Sequence, residues 1–169
     1  GRINMSWMSE AVKKMIGKEV TYLANEEIGL ASIRYFELAL SYKKKIDDNQ
    51  SSFEQPKTAN VVAPPTFIFE TNQYMNKTID EQGYIGHSWD IPLNVEYSIV
   101  RGGNEYKIYH PLLPSTKLEV KWKIVNIIEK QGKDSAFLIV SSNIQYFNQD
   151  KVLLAENIED MIYMPANWE

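Results

Sequence analysis

The stretch KLEVKWKIVNIIEK, residues 117 to 130, alternates apolar and charged side chains with a period of two. Its apolar positions are Leu118, Val120, Trp122 and Ile124, and Glu119, Lys121 and Lys123 lie between them. Such alternation is typical of an antiparallel strand that is buried on one face and solvated on the other. The stretch therefore predicts a sheet that has one core face.

Further strands are predicted on both sides of this one. They cover residues 18 to 23, 105 to 110, 135 to 147 and 152 to 164. The polar turns QGKD at 131 to 134 and NQDK at 148 to 151 join the last three long strands into a meander. The glycine pair in RGGNEY, residues 101 to 106, predicts a tight turn or a bulge where the chain enters the strand.

The N-terminal half carries helical periodicity instead. SIRYFELALSYKKK at 32 to 45 is predicted as the long helix, with Ser32 as its cap and an apolar stripe formed by Ile33, Phe36, Ala39 and Leu40. A shorter helix is predicted over residues 7 to 16, ending at Gly17. One apolar helix against an antiparallel sheet gives an α+β fold. A curled sheet around a central helix, the hotdog arrangement, fits this pattern.

Composition limits the classes of function. The chain has 169 residues, a net charge of −4, no cysteine and two histidines. The absence of cysteine excludes a disulfide scaffold, a thiolate metal site and a cysteine nucleophile. Two histidines are too few for a histidine-rich metal site. No cofactor is expected. The mild acidity disfavours nucleic acid as a partner, and no apolar run reaches the ~20 residues that span a bilayer. Without a signal-peptide core, the protein is predicted to be cytoplasmic.

The domain organisation follows from these elements. Residues 1 to 16 are predicted to form an N-terminal helical extension, with residues 1 to 4, ahead of Met5, interpreted as a cloning remnant. Residues 17 to 169 are predicted to form a single hotdog domain. VVAPPTF at 61 to 67 places two adjacent prolines in an apolar run, which excludes a central strand or a helix interior. It predicts a strand end, a rigid corner and a helix starting near Thr66.

Five segments, in order, resemble the MaoC-like, hotdog-fold hydroxyacyl-thioester dehydratases. The closer resemblance is to the divergent N-terminal, often non-catalytic, domain of two-domain members, or to one subunit of heterodimeric ones. The segments are SIRYFELAL at 32 to 40, VVAPPTF at 61 to 67, RGGNEYKIYHPLLPSTKL at 101 to 118, EKQGKDSAFLIV at 129 to 140 and YFNQDKVLLAE at 146 to 156. The resemblance implies reversible hydration of a 2-enoyl thioester carried on coenzyme A or an acyl carrier protein. It also implies a homodimer, or a heteromer with a catalytic hotdog chain.

The residues that perform the chemistry in active members are replaced here. Those members carry an Asp just after the central helix and a His a few residues later, and a glycine N–H binds the thioester oxygen. The resemblance places Tyr42 and Asp47 near the first two positions and Pro65, which has no N–H, near the third. Ser115 and Thr116 stand where a Gly-Asp turn is expected. The chain is therefore interpreted as the divergent, accessory type of domain.

Three alternatives remain open beside the accessory subunit. The chain could be an active hydratase with substitute residues, an acyl-thioesterase using Asp47 or Glu54, or an acyl-thioester binding protein without chemistry. The catalytic candidates are Asp47, Tyr42 and His87, and the substrate-binding candidates are Ala63, Pro64, Pro65, Thr66 and Trp89. A plain structural role is also open for each, such as an acidic loop for Asp47 and a structurally hydrogen-bonded or solvent-exposed histidine for His87. His110 is interpreted as a strand-end surface residue or as one packed at a subunit contact.

Overall fold

Five antiparallel strands form one sheet within the residues that the computed structural model describes, which are 6–24, 26–48, 67–70 and 87–166. The strands are β1 (Glu19–Leu23), β2 (Tyr97–Ile108), β3 (Glu119–Gln131), β4 (Ala136–Phe147) and β5 (Leu153–Pro165). Their spatial order is β1-β3-β4-β5-β2, so β1 and β2 form the two edges. Three helices accompany them in the described ranges: α1 (Glu10–Lys13), α2 (Leu30–Asp48) and α3 (Phe67–Glu70).

Strand β3 confirms the alternation that defined the sheet. Leu118, Val120, Trp122 and Ile124 are all buried. The alternation then changes phase, because the pairing with β4 shifts between Ile124 and Asn126 and leaves Val125 as an extra residue. Val125 is 45% exposed, whereas Ile127 is 2% exposed. A one-residue bulge of this kind moves the following side chains to the opposite face of the strand.

Helix α2 begins earlier than predicted. It starts at Leu30, so the prediction of Ser32 as the cap was wrong; the Ile33 N–H already donates to the Gly29 carbonyl at 3.3 Å. Ile33 is fully buried in the core, and the ring of Phe36 packs at 5.0 Å against that of Phe67 at the start of α3. Leu40, predicted in the apolar stripe, is exposed.

The far end of α2 also extends beyond its prediction. The polar run DDNQSSFEQPKTAN, residues 47 to 60, predicts a loop, but Asp47 and Asp48 lie in this helix. The rest of that loop, residues 49 to 60, and most of the proline corner lie outside the described residues. Helix α3 begins at Phe67, next to the predicted start near Thr66.

The N-terminal segment joins the same core as the sheet. Its helix α1 spans only four residues instead of the ten predicted, because Ser9 caps it and the chain then turns. Gly17 adopts a φ of 93°, a conformation that glycine tolerates best, and its N–H donates to the Ile124 carbonyl at 2.8 Å. Val12 is fully buried against the core residues of the sheet. The domain boundary at residue 16 stays a prediction.

Strand β2 is longer than the predicted strand over 105 to 110. It starts at Tyr97 and ends at Ile108, and it contains the predicted bulge. The register with β5 shifts between Arg101 and Gly103, so Gly102 is the extra residue. A Cβ atom added at Gly102 would lie 2.9 Å from the Asp160 carbonyl oxygen, whereas one at Gly103 would meet no atom within 4 Å.

We expect Gly102→Ala to destabilise the protein, because the new methyl group forces β2 away from β5. The loss should be about 1–3 kcal/mol in the free energy of unfolding, measured by urea denaturation. Gly103→Ala is the matched control, since the added methyl group meets open space. Equal stabilities of the two variants would contradict the close approach at the bulge.

Candidate active site

A cavity of about 530 Å³ opens on the core-facing side of the sheet, between β2, β5 and the segment at residues 87–89. The alternation of β5 directs Glu159, Met161 and Tyr163 into it. Their register partners on β4 are Ser142, Val140 and Leu138, and all three are at most 1% exposed. The cavity is thus a part of the core face that the side chains of the described residues leave open.

His87 is held in this cavity by three aromatic neighbours. Its Nδ1 shares a hydrogen bond with the hydroxyl of Tyr22 on β1. Its ring packs edge-on against Trp89, with a centroid distance of 4.3 Å and an interplanar angle of 82°, and tilted against Trp122 at 4.8 Å. The imidazole is therefore half-buried and fixed in orientation while it lines a space large enough for a ligand.

Trp89 ties the segment at 87–89 to the sheet. The indole N–H donates to the hydroxyl of Ser142 at 2.9 Å, and the Trp89 carbonyl accepts the Tyr163 hydroxyl at 3.4 Å. Burial raises the pKa of Tyr163 above its ordinary value, so this phenol stays protonated and serves as a donor. The tryptophan is buried, and one end of the cavity is consequently rigid and aromatic.

Glu159 is the acidic residue in the cavity wall, and sequence reasoning missed it. Burial raises its pKa, while Arg101, which also lines the cavity, opposes that shift and Asp160 adds to it. A signal was present in the predicted strand at 152 to 164. Glu159 shares the parity of Met161 and Tyr163, so the predicted core face already contained a carboxyl group.

The structure brings together two of the predicted site residues, His87 and Trp89. Tyr42 and Asp47 lie in α2, where their side chains are outside the described part of the chain. Ala63, Pro64, Pro65 and Thr66 also lie outside the described residues. The catalytic and substrate-binding roles assigned to all eight residues stay predictions.

The other histidine lies away from the cavity. His110 is exposed just after β2, and its backbone N–H donates to the Leu154 carbonyl at 3.1 Å. Within the described ranges, no group of three or more histidine and acidic side chains is arranged to hold a metal ion. No helix in those ranges has the length and apolar character that crossing a bilayer requires.

The sequence matches a known protein family over most of its length. Residues 14–157 match the model of a family described as the FAS1-like, dehydratase domain region. The sequence has no significant match among curated proteins.

The solved structures that resemble the chain share its fold. One is the ChsH1-ChsH2 complex from Mycobacterium tuberculosis, with a TM-score of 0.59, 16% identity and coverage of 94% of this chain and 92% of that one. Another is the MaoC-like dehydratase from Rhodospirillum rubrum, with a TM-score of 0.56, 15% identity and coverage of 95% and 100%. A third is the C-terminally truncated HadBC (3R-hydroxyacyl-ACP dehydratase) complex from Mycobacterium tuberculosis. Its TM-score is 0.51 and its identity 19%, with coverage of 88% of this chain and 96% of that one.

These matches confirm the α+β hotdog fold that the sequence predicted and the resemblance to MaoC-like dehydratases. The match to the family model extends over most of the chain, from the residue that follows α1 into β5. The chain belongs to the family of FAS1-like dehydratase domain regions, and its fold is the hotdog fold of MaoC-like dehydratases.

Proposed function

We propose that this chain binds acyl thioesters, with the acyl group in the cavity, as one subunit of a hydratase or dehydratase. The observation that carries the proposal is the cavity itself, which is about 530 Å³ in volume and has Trp89, Trp122 and Met161 in its walls. An apolar acyl group gains free energy when such walls remove it from water. The family to which the chain belongs makes a thioester a fitting ligand.

The chemistry itself is assigned to a partner chain. Hydration of a 2-enoyl thioester needs a base for the water, an acid for the α-carbon and a donor for the thioester oxygen. The resemblance to active members places Tyr42, Asp47 and Pro65 near the positions where those members carry these groups. A second hotdog chain that bears the Asp and the His would complete the site.

A second candidate is a hydratase that works without such a partner and uses His87 as its base. The observation in its favour is that His87 lines the cavity with its ring fixed by Tyr22 and Trp89. Histidine is the side chain that most often transfers protons in enzymes, and a fixed ring favours the transfer. Turnover by the purified chain separates the two candidates.

A tryptophan at position 161 should block the cavity. Met161 lines the cavity, whereas Met164, three residues further along β5, is 38% exposed. We expect Met161→Trp to weaken binding of crotonyl-CoA by at least about tenfold, which corresponds to 1.4 kcal/mol, in isothermal titration calorimetry. Met164→Trp is the matched control and should bind as the wild type does. Equal affinity of all three proteins would contradict binding in this cavity.

The purified chain alone should not hydrate crotonyl-CoA, followed as loss of the enoyl-thioester absorbance. If turnover is observed and His87→Ala abolishes it, the accessory role is wrong and the second candidate is supported. His110→Ala is the control, because this exposed histidine lies outside the cavity wall. Turnover that survives His87→Ala would contradict both candidates.

The edge strand β2 offers the surface for a partner. It pairs with β5 on one side and, in the part of the chain that the structure describes, ends the sheet on the other, over twelve residues. Val100, Tyr106 and Ile108 are exposed along it. A long edge strand with exposed apolar side chains tends to pair with another strand. We infer that a second hotdog chain, either a copy of this one or the catalytic partner, extends the sheet at this edge.

The wild-type chain is accordingly expected to be a dimer or larger in size-exclusion chromatography with light scattering. The double variant Val100→Lys, Ile108→Lys should shift it to the monomer mass, because charges on an edge strand oppose pairing. Leu23→Lys on the opposite edge, β1, is the control, since Leu23 is also exposed. Dissociation by the β1 variant instead would contradict pairing through β2. A monomeric wild type would contradict pairing of two copies, and the β2 double variant should then fail to bind the catalytic chain.

A further inference from the structure

Glu159 occupies an unusual place for a charged side chain. It faces the core side of the sheet, where its register partner on β4, Ser142, is 1% exposed. The residues two positions away on β5 are Asn157, which is buried, and Met161, which lines the cavity. The next residue, Asp160, faces the other side of the sheet and accepts a hydrogen bond from Ser141 at 2.5 Å.

Among the described residues, the carboxyl group of Glu159 has no hydrogen-bond donor of this kind. Within the described ranges of the chain, no group donates a hydrogen bond to it, and Arg101 attracts it without forming an ion pair. The hydroxyl of Ser142, across the strand pair, already accepts the indole N–H of Trp89. Glu159 is half-buried in the cavity wall. A carboxyl group that loses its remaining contact with water costs free energy unless it forms a hydrogen bond, so a ligand that enters the cavity gains by supplying one.

The chemistry of a carboxyl group with a raised pKa limits what that ligand group can be. The ionised form only accepts hydrogen bonds, and the protonated form also donates one. A carbonyl group suits the protonated form alone, and an ammonium group suits the ionised form alone. A hydroxyl group both donates and accepts, so it satisfies Glu159 in either state.

We propose that Glu159 is a specificity-determining residue that hydrogen-bonds a hydroxyl group on the acyl chain, beyond its reacting carbons. The inference rests on the proposed function, in which the acyl chain enters the cavity while the thioester and its first carbons remain within reach of the partner. The preferred ligands are then acyl thioesters with a hydroxyl group further along the chain. A plain alkyl chain would displace water from this half-buried carboxyl group and supply no hydrogen bond in its place, and such mismatches discriminate strongly between ligands.

The test compares four probes of equal carbon number by calorimetry: hexanoyl-CoA and its 3-, 5- and 6-hydroxy derivatives. The wild type should bind the 5- or the 6-hydroxy probe at least about fivefold more tightly than hexanoyl-CoA, the gain expected from one hydrogen bond. Glu159→Leu should reduce that preference to less than about twofold. Glu159→Gln, which can still donate and accept, should keep most of it, and Asp160→Asn on the opposite face should keep all of it.

The other results of this comparison would each contradict either the role of Glu159 or the proposed function. Three outcomes would overturn the role of Glu159. The wild type could bind the 5- and 6-hydroxy probes no more tightly than hexanoyl-CoA, or it could prefer the 3-hydroxy probe alone. The preference could also survive Glu159→Leu. Should Glu159→Leu not fold, Glu159→Met supplies an unbranched apolar side chain of similar length for the same comparison. Binding of none of the four probes would contradict the proposed function itself, which distinguishes that failure from the failure of this inference.

Discussion

The hydrogen bond from the Trp89 indole to the Ser142 hydroxyl connects the candidate site to the sheet. Ser142 is almost completely buried on the core face of β4, so its hydroxyl needs a partner and the indole N–H supplies it. The ring of Trp89 then packs against the imidazole of His87, and its carbonyl accepts the Tyr163 hydroxyl. This contact therefore fixes Trp89 at the aromatic end of the cavity, and Trp89 holds the His87 ring together with Tyr22 and Trp122.

The cavity differs from the rest of the core in its polar content. Over most of β3 and β4, the core face consists of aliphatic and aromatic side chains that fill the space between sheet and helices. Near β2 and β5 the same face presents Glu159 and Arg101 together with Tyr97 and Tyr163, and open volume replaces packing. A protein that needed only stability would gain from apolar side chains at these positions. Their polar character supports a role in binding.

Much of the fold could be predicted from the sequence because β3, β4 and β5 are buried on one face. Their period-two alternation appears directly in residues such as Leu118 to Ile124. Strand β2 was predicted too short because most of its side chains are exposed and its glycine pair interrupts the pattern. The bulge at Val125 and the early start of α2 depend on hydrogen bonds to other segments, which local periodicity does not encode.

The candidate site was less predictable than the fold. His87 and Trp89 were identified from the sequence, but their contact depends on Ser142, which is distant in the chain. Glu159 was missed because a charged residue in a strand is ordinarily assigned to the solvated face.

The most direct test is a crystal structure of the chain with a bound thioether analogue of an acyl-CoA. We expect the acyl group inside the cavity, in contact with Trp122 and Met161. An acyl group bound elsewhere on the chain, with this cavity unoccupied, would contradict this expectation.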